Sequence, residues 1–278
     1  MPVAAVWTIW SSNFSTGFGP STSTSHLGTL TMRYLVLTDI HGNLEALDTC
    51  IADATTRRFD ATLCLGDLVG YGADPNAVID RLQALQPLSV VRGNHDKVAC
   101  GLEQAEGFNA VAKSAARWTF DVLTPEHRQW LADLPEGPHI VDDMIEICHG
   151  SPFDEDAYIF DELDAVRALK TSTRPLCLFG HTHYPVTFEL AADHFDTVGP
   201  AAAGEMRMPL RAESKYLLNP GSVGQPRDGD PRAAYAIVDT ATRAVELFRL
   251  RYPVEQAQAK IVDAGLPDVL AQRLAVGR

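Results

Sequence analysis

From Arg33 onward, short apolar runs alternate with stretches whose apolar side chains recur every three or four positions, the signature of layered α/β structure. Tyr34 to Thr38, Ala61 to Leu65 and Leu88 to Val91 read as strands. Between them, Leu44, Leu47 and Ile51 share one helical face. Asp74-Pro75 reads as an N-cap and N1 proline opening a helix through Val78, Ile79 and Leu82. The pattern then changes. Phe108, Val111, Ala115 and Trp118 lie on one helical face and Thr124-Pro125 starts a further helix, which predicts a helical insertion at about 100–137. Beyond it, His139 to Val141 and Met144 to Cys148 flank Asp142-Asp143 as a hairpin. A helix from Asp161 to Lys170 precedes a strand from Leu176 to Phe179, and the Pro/Gly-rich segment after Tyr216 reads as loop. Ala233 to Asp239 and Ala244 to Arg251 are strands, and helical patterns through Ile261 and Leu270 follow. Strands of both buried and hairpin type predict a two-sheet core with helices outside.

Composition narrows the class. The chain of 278 residues is 46% hydrophobic and 21% charged, near the globular average, and no apolar run is long enough to span a bilayer. Its 23 Lys+Arg against 36 Asp+Glu give a net charge of −13. Such a charge repels polyanions, so no extended nucleic acid is expected as a partner unless bound metals reverse the field locally. The five cysteines are odd in number and show no C-x-x-C spacing, which reads as reduced thiols of a cytoplasmic protein. Residues 1–32 contain no charged side chain and are largely Ser, Thr and Gly from Ser11 to Ser25. They read as a disordered extension ahead of a start at Met32, without the basic region and cleavage site of a secretory signal. Residues 33–278 then form one domain.

The chemistry collects at the strand ends. Tyr34–Thr38 runs into Asp39-Ile40-His41, Ala61–Leu65 into Gly66-Asp67, and Leu88–Val91 into Arg92-Gly93-Asn94-His95-Asp96. Met144–Cys148 runs into His149-Gly150, and Leu176–Phe179 into Gly180-His181-Thr182-His183. Asp39-x-His41, Gly66-Asp67 and Gly93-Asn94-His95-Asp96 each read alone as a helix cap or a turn, whereas Gly180-His181-Thr182-His183 reads even alone as a metal site; the occurrence of all five in order argues against the turn reading. In a mainly parallel sheet these ends line one edge, where α/β ligand sites form. Carboxylate, imidazole and amide ligands without thiolate suit a pair of divalent ions such as Mn, Fe, Zn or Ni. Two such ions need a bridging carboxylate, for which Asp67 is the candidate.

The order D-x-H, G-D, G-N-H-D, H-G, G-H-T-H resembles that of the calcineurin-like metallophosphoesterases, over roughly residues 33 to 251. The compact layout, ending in Asn219-Pro220-Gly221-Ser222 and two strands, looks like their small prokaryotic phosphodiesterase branch. The resemblance implies a four-layer αββα sandwich and a phosphoester hydrolase that uses a metal-bridging hydroxide. It also implies one metal on Asp39, His41, Asp67 and His183, a second on Asp67, Asn94, His149 and His181, and His95 as the catalytic residue facing the leaving oxygen.

Substrate choice is less sharply encoded. Tyr71 and Arg92 are candidate substrate contacts; packing under a glycine turn and a structural ion pair are their alternatives. Asn219-Pro220-Gly221-Ser222 reads as a type II turn. The acidic stretch Asp154-Glu155-Asp156, with no second arginine in the motifs, favours a singly charged diester over a dianionic monoester. The expected activity is therefore a phosphodiesterase on small or nucleotide-like substrates. Phosphomonoesterase or protein phosphatase, dinucleotide polyphosphate hydrolase, nuclease and a metal-dependent binding module are the alternatives.

Overall fold

The computed structural model describes residues 31–199 and 204–278. The extension expected over residues 1–32 thus lies, but for its last two residues, outside the described residues. In chain order the elements are β1 (Arg33–Leu37), α1 (Leu44–Arg57), β2 (Ala61–Cys64), α2 (Pro75–Gln83) and β3 (Leu88–Val90). The helices α3 (Asn94–Cys100), α4 (Ala110–Val122) and α5 (Pro125–Ala132) follow, then β4 (His139–Ile140), β5 (Ile145–Ile147), α6 (Glu162–Thr171) and β6 (Leu176–Leu178). The remainder is β7 (Val186–Leu190), β8 (Phe195–Val198), β9 (Glu205–Pro209), β10 (Lys215–Asn219), β11 (Ala233–Asp239), β12 (Ala244–Leu250), α7 (Val254–Asp263) and α8 (Asp268–Leu274).

Two six-stranded sheets form, in the orders β3-β2-β1-β11-β12-β9 and β4-β5-β6-β10-β7-β8. The expectation of a mainly parallel sheet is corrected: β1, β2 and β3 are parallel, as are β5, β6 and β10, and the flanking strands are antiparallel. Strand pleating explains the layers. Leu35 and Leu37 face α1 and the C-terminal helices, whereas Tyr34 and Val36, one residue out of step, meet Ile145, Leu176 and Leu218 of the other sheet. Cys177 and Leu217 on the outer face of that sheet pack against Ala165 and Leu169 of α6. This is the four-layer αββα arrangement.

Four strands, β7 to β10, escape the apolar pattern, and β10 lies at the centre of its sheet between β6 and β7. Asp74 precedes α2 as expected, yet its carboxylate makes no cap bond and takes Lys260 Nζ at 2.7 Å. Helices α3 to α5 sit between β3 and β4, with Phe108 and Trp118 packed on the core. Among the described residues no helix is long and apolar enough to cross a membrane.

Candidate active site

The loops after β1, β2, β3, β5 and β6 bring the strand-end residues together. Asp39, His41, Asp67 and His183 form one buried cluster, and Asp67, His149 and His181 form a second that shares Asp67. Asn94 joins the second, its Oδ1 3.2 Å from His149 Nε2. Asp67 Oδ2 is 3.5 Å from His41 Nε2 and 3.4 Å from His149 Nε2, so one carboxylate oxygen reaches both clusters. The backbone is bent to achieve this. Asp39, His41, Asp67, His181 and His183 all have φ between 50° and 68°, a region that L-residues with side chains avoid. Gly93 is required beside them, because a β-carbon there would overlap Asp67.

Second partners aim the ligand atoms. His41 Nδ1, His149 Nδ1 and His183 Nδ1 donate to the carbonyls of Val69, Leu65 and Gln225 at 3.2, 2.8 and 2.6 Å. A carbonyl only accepts, so each ring directs its Nε2 lone pair into the site when neutral. His181 is turned over: Nε2 donates to the Asp156 carbonyl at 3.1 Å, leaving Nδ1 as its free donor atom. Asp39 is oriented by the His181 backbone N–H and the Thr38 hydroxyl. Asp96 cross-ties the loops after β2 and β3, accepting from Leu68, Val69 and Gly93 N–H groups.

The arrangement fits metal ions on its own geometry. His41 Nε2 and His183 Nε2 face each other at 3.1 Å. Burial pulls both imidazoles well below their usual pKa, so neither is protonated, and two lone pairs confront each other with no hydrogen between them. A cation relieves that contact. Burial raises the Asp67 carboxyl, but the surrounding imidazoles, His149 foremost, outweigh it and hold Asp67 ionised. Asp39, pushed up to about 7 by burial, is the more readily protonated of the two carboxylates.

The sequence matches the calcineurin-like phosphoesterase superfamily domain over residues 32–243. The chain belongs to that superfamily. An uncharacterized protein of Methanocaldococcus jannaschii is 37% identical over 251 residues, covering 87% of this chain and 97% of that protein. The crystal structure of a metallophosphoesterase from Sphaerobacter thermophilus superposes with a TM-score of 0.78 at 36% identity, covering 90% of this chain and all of that one. A hypothetical protein of Pyrococcus horikoshii shares the fold, with a TM-score of 0.71 at 21% identity over 88% of this chain and 98% of its own. As a calcineurin-like phosphoesterase the chain is a metal-dependent hydrolase of phosphoesters, and the two Asp/His clusters suit its divalent metal centre.

His95 stands beside this phosphoesterase centre without entering either cluster. Its backbone N–H donates to Asp67 Oδ1 at 2.9 Å, and its ring is held between Tyr71 and Phe108 at centroid distances of 4.4 and 4.5 Å. Burial pulls the imidazole down to about 4, so it is neutral at pH 7. Tyr71 is 7% exposed and wedged between His41 and His95.

Two expectations about charge change. Arg92 does not present a free guanidinium: Glu155 takes Nε and Nη2 at 3.1 Å and Glu136 takes Nη2 at 3.0 Å. The acidic stretch is also compensated, since the buried Lys97 bonds Glu155 at 3.1 Å and Asp156 at 2.6 Å. A second arginine does exist. Arg227 and Arg273 both stand with the guanidinium carbon 5.8 Å from the Tyr71 ring. Neither lies in a motif: Arg227 sits in the Pro/Gly-rich loop after Asn219, tied back to the site by Ser222 Oγ on the Asp39 carbonyl, whereas Arg273 comes from α8.

Proposed function

We propose that the protein is a two-metal phosphodiesterase acting on small or nucleotide-like substrates. In this reading Asp39, His41, Asp67 and His183 hold one metal, and Asp67, Asn94, His149 and His181 hold the other. Two divalent ions so placed neutralise the phosphoryl oxygens and lower the pKa of attacking water. The protein's own part is positional. The backbone carbonyls of Val69, Leu65 and Gln225 fix three imidazoles, Asp67 spans both clusters, and His95, kept neutral, donates its ring N–H to the leaving oxygen.

One observation supports a diester over a monoester. A cleft of about 680 Å³, walled by Tyr158, Phe160, Tyr184 and Phe188, opens beside the second cluster, where Tyr158 stacks on His181 at 3.7 Å. His95 lies against His41 of the first cluster, at 4.9 Å between centroids. A leaving group over His95 and a second organic group in the cleft are two substituents on one phosphate. The cleft is of the size that holds small organic ligands, and its wall is apolar in the way such sites are. The test is the ratio of kcat/KM for bis-p-nitrophenyl phosphate to that for p-nitrophenyl phosphate, with Mn, Ni, Zn or Fe supplied in turn. A ratio well above one is expected; a ratio below one reassigns the enzyme as a phosphomonoesterase.

A further inference from the structure

Arg227 and Arg273 converge on the site with no counter-ion. Among the described residues neither has a carboxylate within ion-pair distance, whereas Arg92, Arg232 and Arg249 each have one. Both Nε atoms are enclosed and lack a hydrogen-bond partner. The two forks meet on one neutral acceptor, Gln225 Oε1, with Arg227 Nη2 at 3.1 Å and Arg273 Nη1 at 3.3 Å. Gln225 is the residue whose carbonyl anchors His183, and Arg227 also lines the aromatic cleft. Two positive charges are thus gathered at the junction of metal centre and cleft, and among the described residues no carboxylate pairs with either directly. A guanidinium fork matches a phosphate oxyanion in shape and charge.

We propose that Arg227 and Arg273 form an anion clamp beside the metal centre that takes a phosphate-class oxyanion of the substrate. The clamp rests on the phosphoesterase site described above and not on its preference for diesters. The oxyanion has two sources, the scissile phosphoryl group or a further phosphate of the same substrate.

The test is calorimetric titration of inorganic phosphate into the Mn-loaded protein, using wild type, Arg227→Gln, Arg273→Gln and the double variant. Each single variant is expected to weaken phosphate binding about tenfold and the double variant further, the range for a hydrogen bond to a charged group. Unchanged affinity in all three, with melting transitions showing them folded, overturns the clamp. Should the Gln variants fail to fold, Arg227→Lys keeps the charge and loses the fork; phosphate affinity equal to wild type there also overturns it. Turnover separates the two sources. Loss of kcat/KM on both bis-p-nitrophenyl phosphate and diadenosine tetraphosphate places the scissile phosphoryl in the clamp, and loss on diadenosine tetraphosphate alone places a further phosphate there. A wild-type enzyme that prefers p-nitrophenyl phosphate, yet loses phosphate binding in the variants, sinks the diester preference and leaves the clamp standing.

Discussion

His41 and His183, 142 residues apart in the chain, point their Nε2 atoms at each other across 3.1 Å while their Nδ1 atoms are both committed to backbone carbonyls. Two imidazole nitrogens so placed suit a divalent ion between them. Saturating Mn should raise the melting temperature of the metal-stripped protein by roughly 5–10 °C, from about 2.7 kcal/mol of linkage at a hundredfold excess over Kd. His183→Ala should show a smaller Mn-induced shift than wild type, because weaker metal binding contributes less linkage. An equal Mn-induced shift in both proteins would contradict this.

Asp67 Oδ2 is the oxygen common to both clusters, so Asp67→Asn keeps the shape and removes the shared charge. Metal content should fall below two per chain and turnover by about a thousandfold or more, with far-ultraviolet circular dichroism retained. Full metal content by elemental analysis would remove Asp67 from the bridging position.

His95 shares the site without belonging to a cluster. His95→Ala should keep both metals and lose on the order of a hundredfold in kcat, the effect of removing one positioned proton donor. Loss of a metal with normal turnover per remaining metal would make His95 a ligand instead.

Gly93 approaches Asp67 too closely for any β-carbon. Gly93→Ala should destabilise the fold by roughly 1–3 kcal/mol, as overpacking does, and should weaken metal binding as Asp67 is displaced. Denaturant titration and metal titration of the same variant measure both; unchanged values in each would mean that the loop yields freely.

Acid should weaken the metal-free protein. Burial pulls His95 to about 4 and His181 to about 3, and holds His41 and His183 well below the usual value, so the unfolded chain binds protons near pH 6.5 that the folded chain refuses. That stability is present above about pH 6.5 and is lost as the pH falls toward 4. Asp39 and Asp96, pushed up to about 7 by burial, act in the opposite sense over the same window, so four imidazoles outweigh two carboxylates. His149, where Asp67 outweighs burial and raises the ring to about 10, matters only above pH 6.5. The melting temperature without metal should therefore drop between pH 6.5 and 4, and a flat profile there would contradict the assignment of neutral imidazoles.

Local periodicity already marks the elements, and residue chemistry already marks the candidate ligands, before any fold is known. Leu44, Leu47 and Ile51 mark one face of α1 whatever they meet, and Asp39, His41, Asp67, Asn94, His149, His181 and His183 stand at strand ends in any α/β arrangement of this order. The tertiary structure decided what depends on a partner far along the chain. Lys215–Asn219 becomes a central strand because β6 and β7 enclose it, although its own five residues carry too little pattern to show this. Arg92 and Arg227 are equal as sequence, each a cation beside a turn. Glu155 and Glu136 neutralise the first, while Gln225 draws the second together with Arg273, 48 residues beyond that glutamine, because charge pairing is a property of distances in space and not of spacing in the chain.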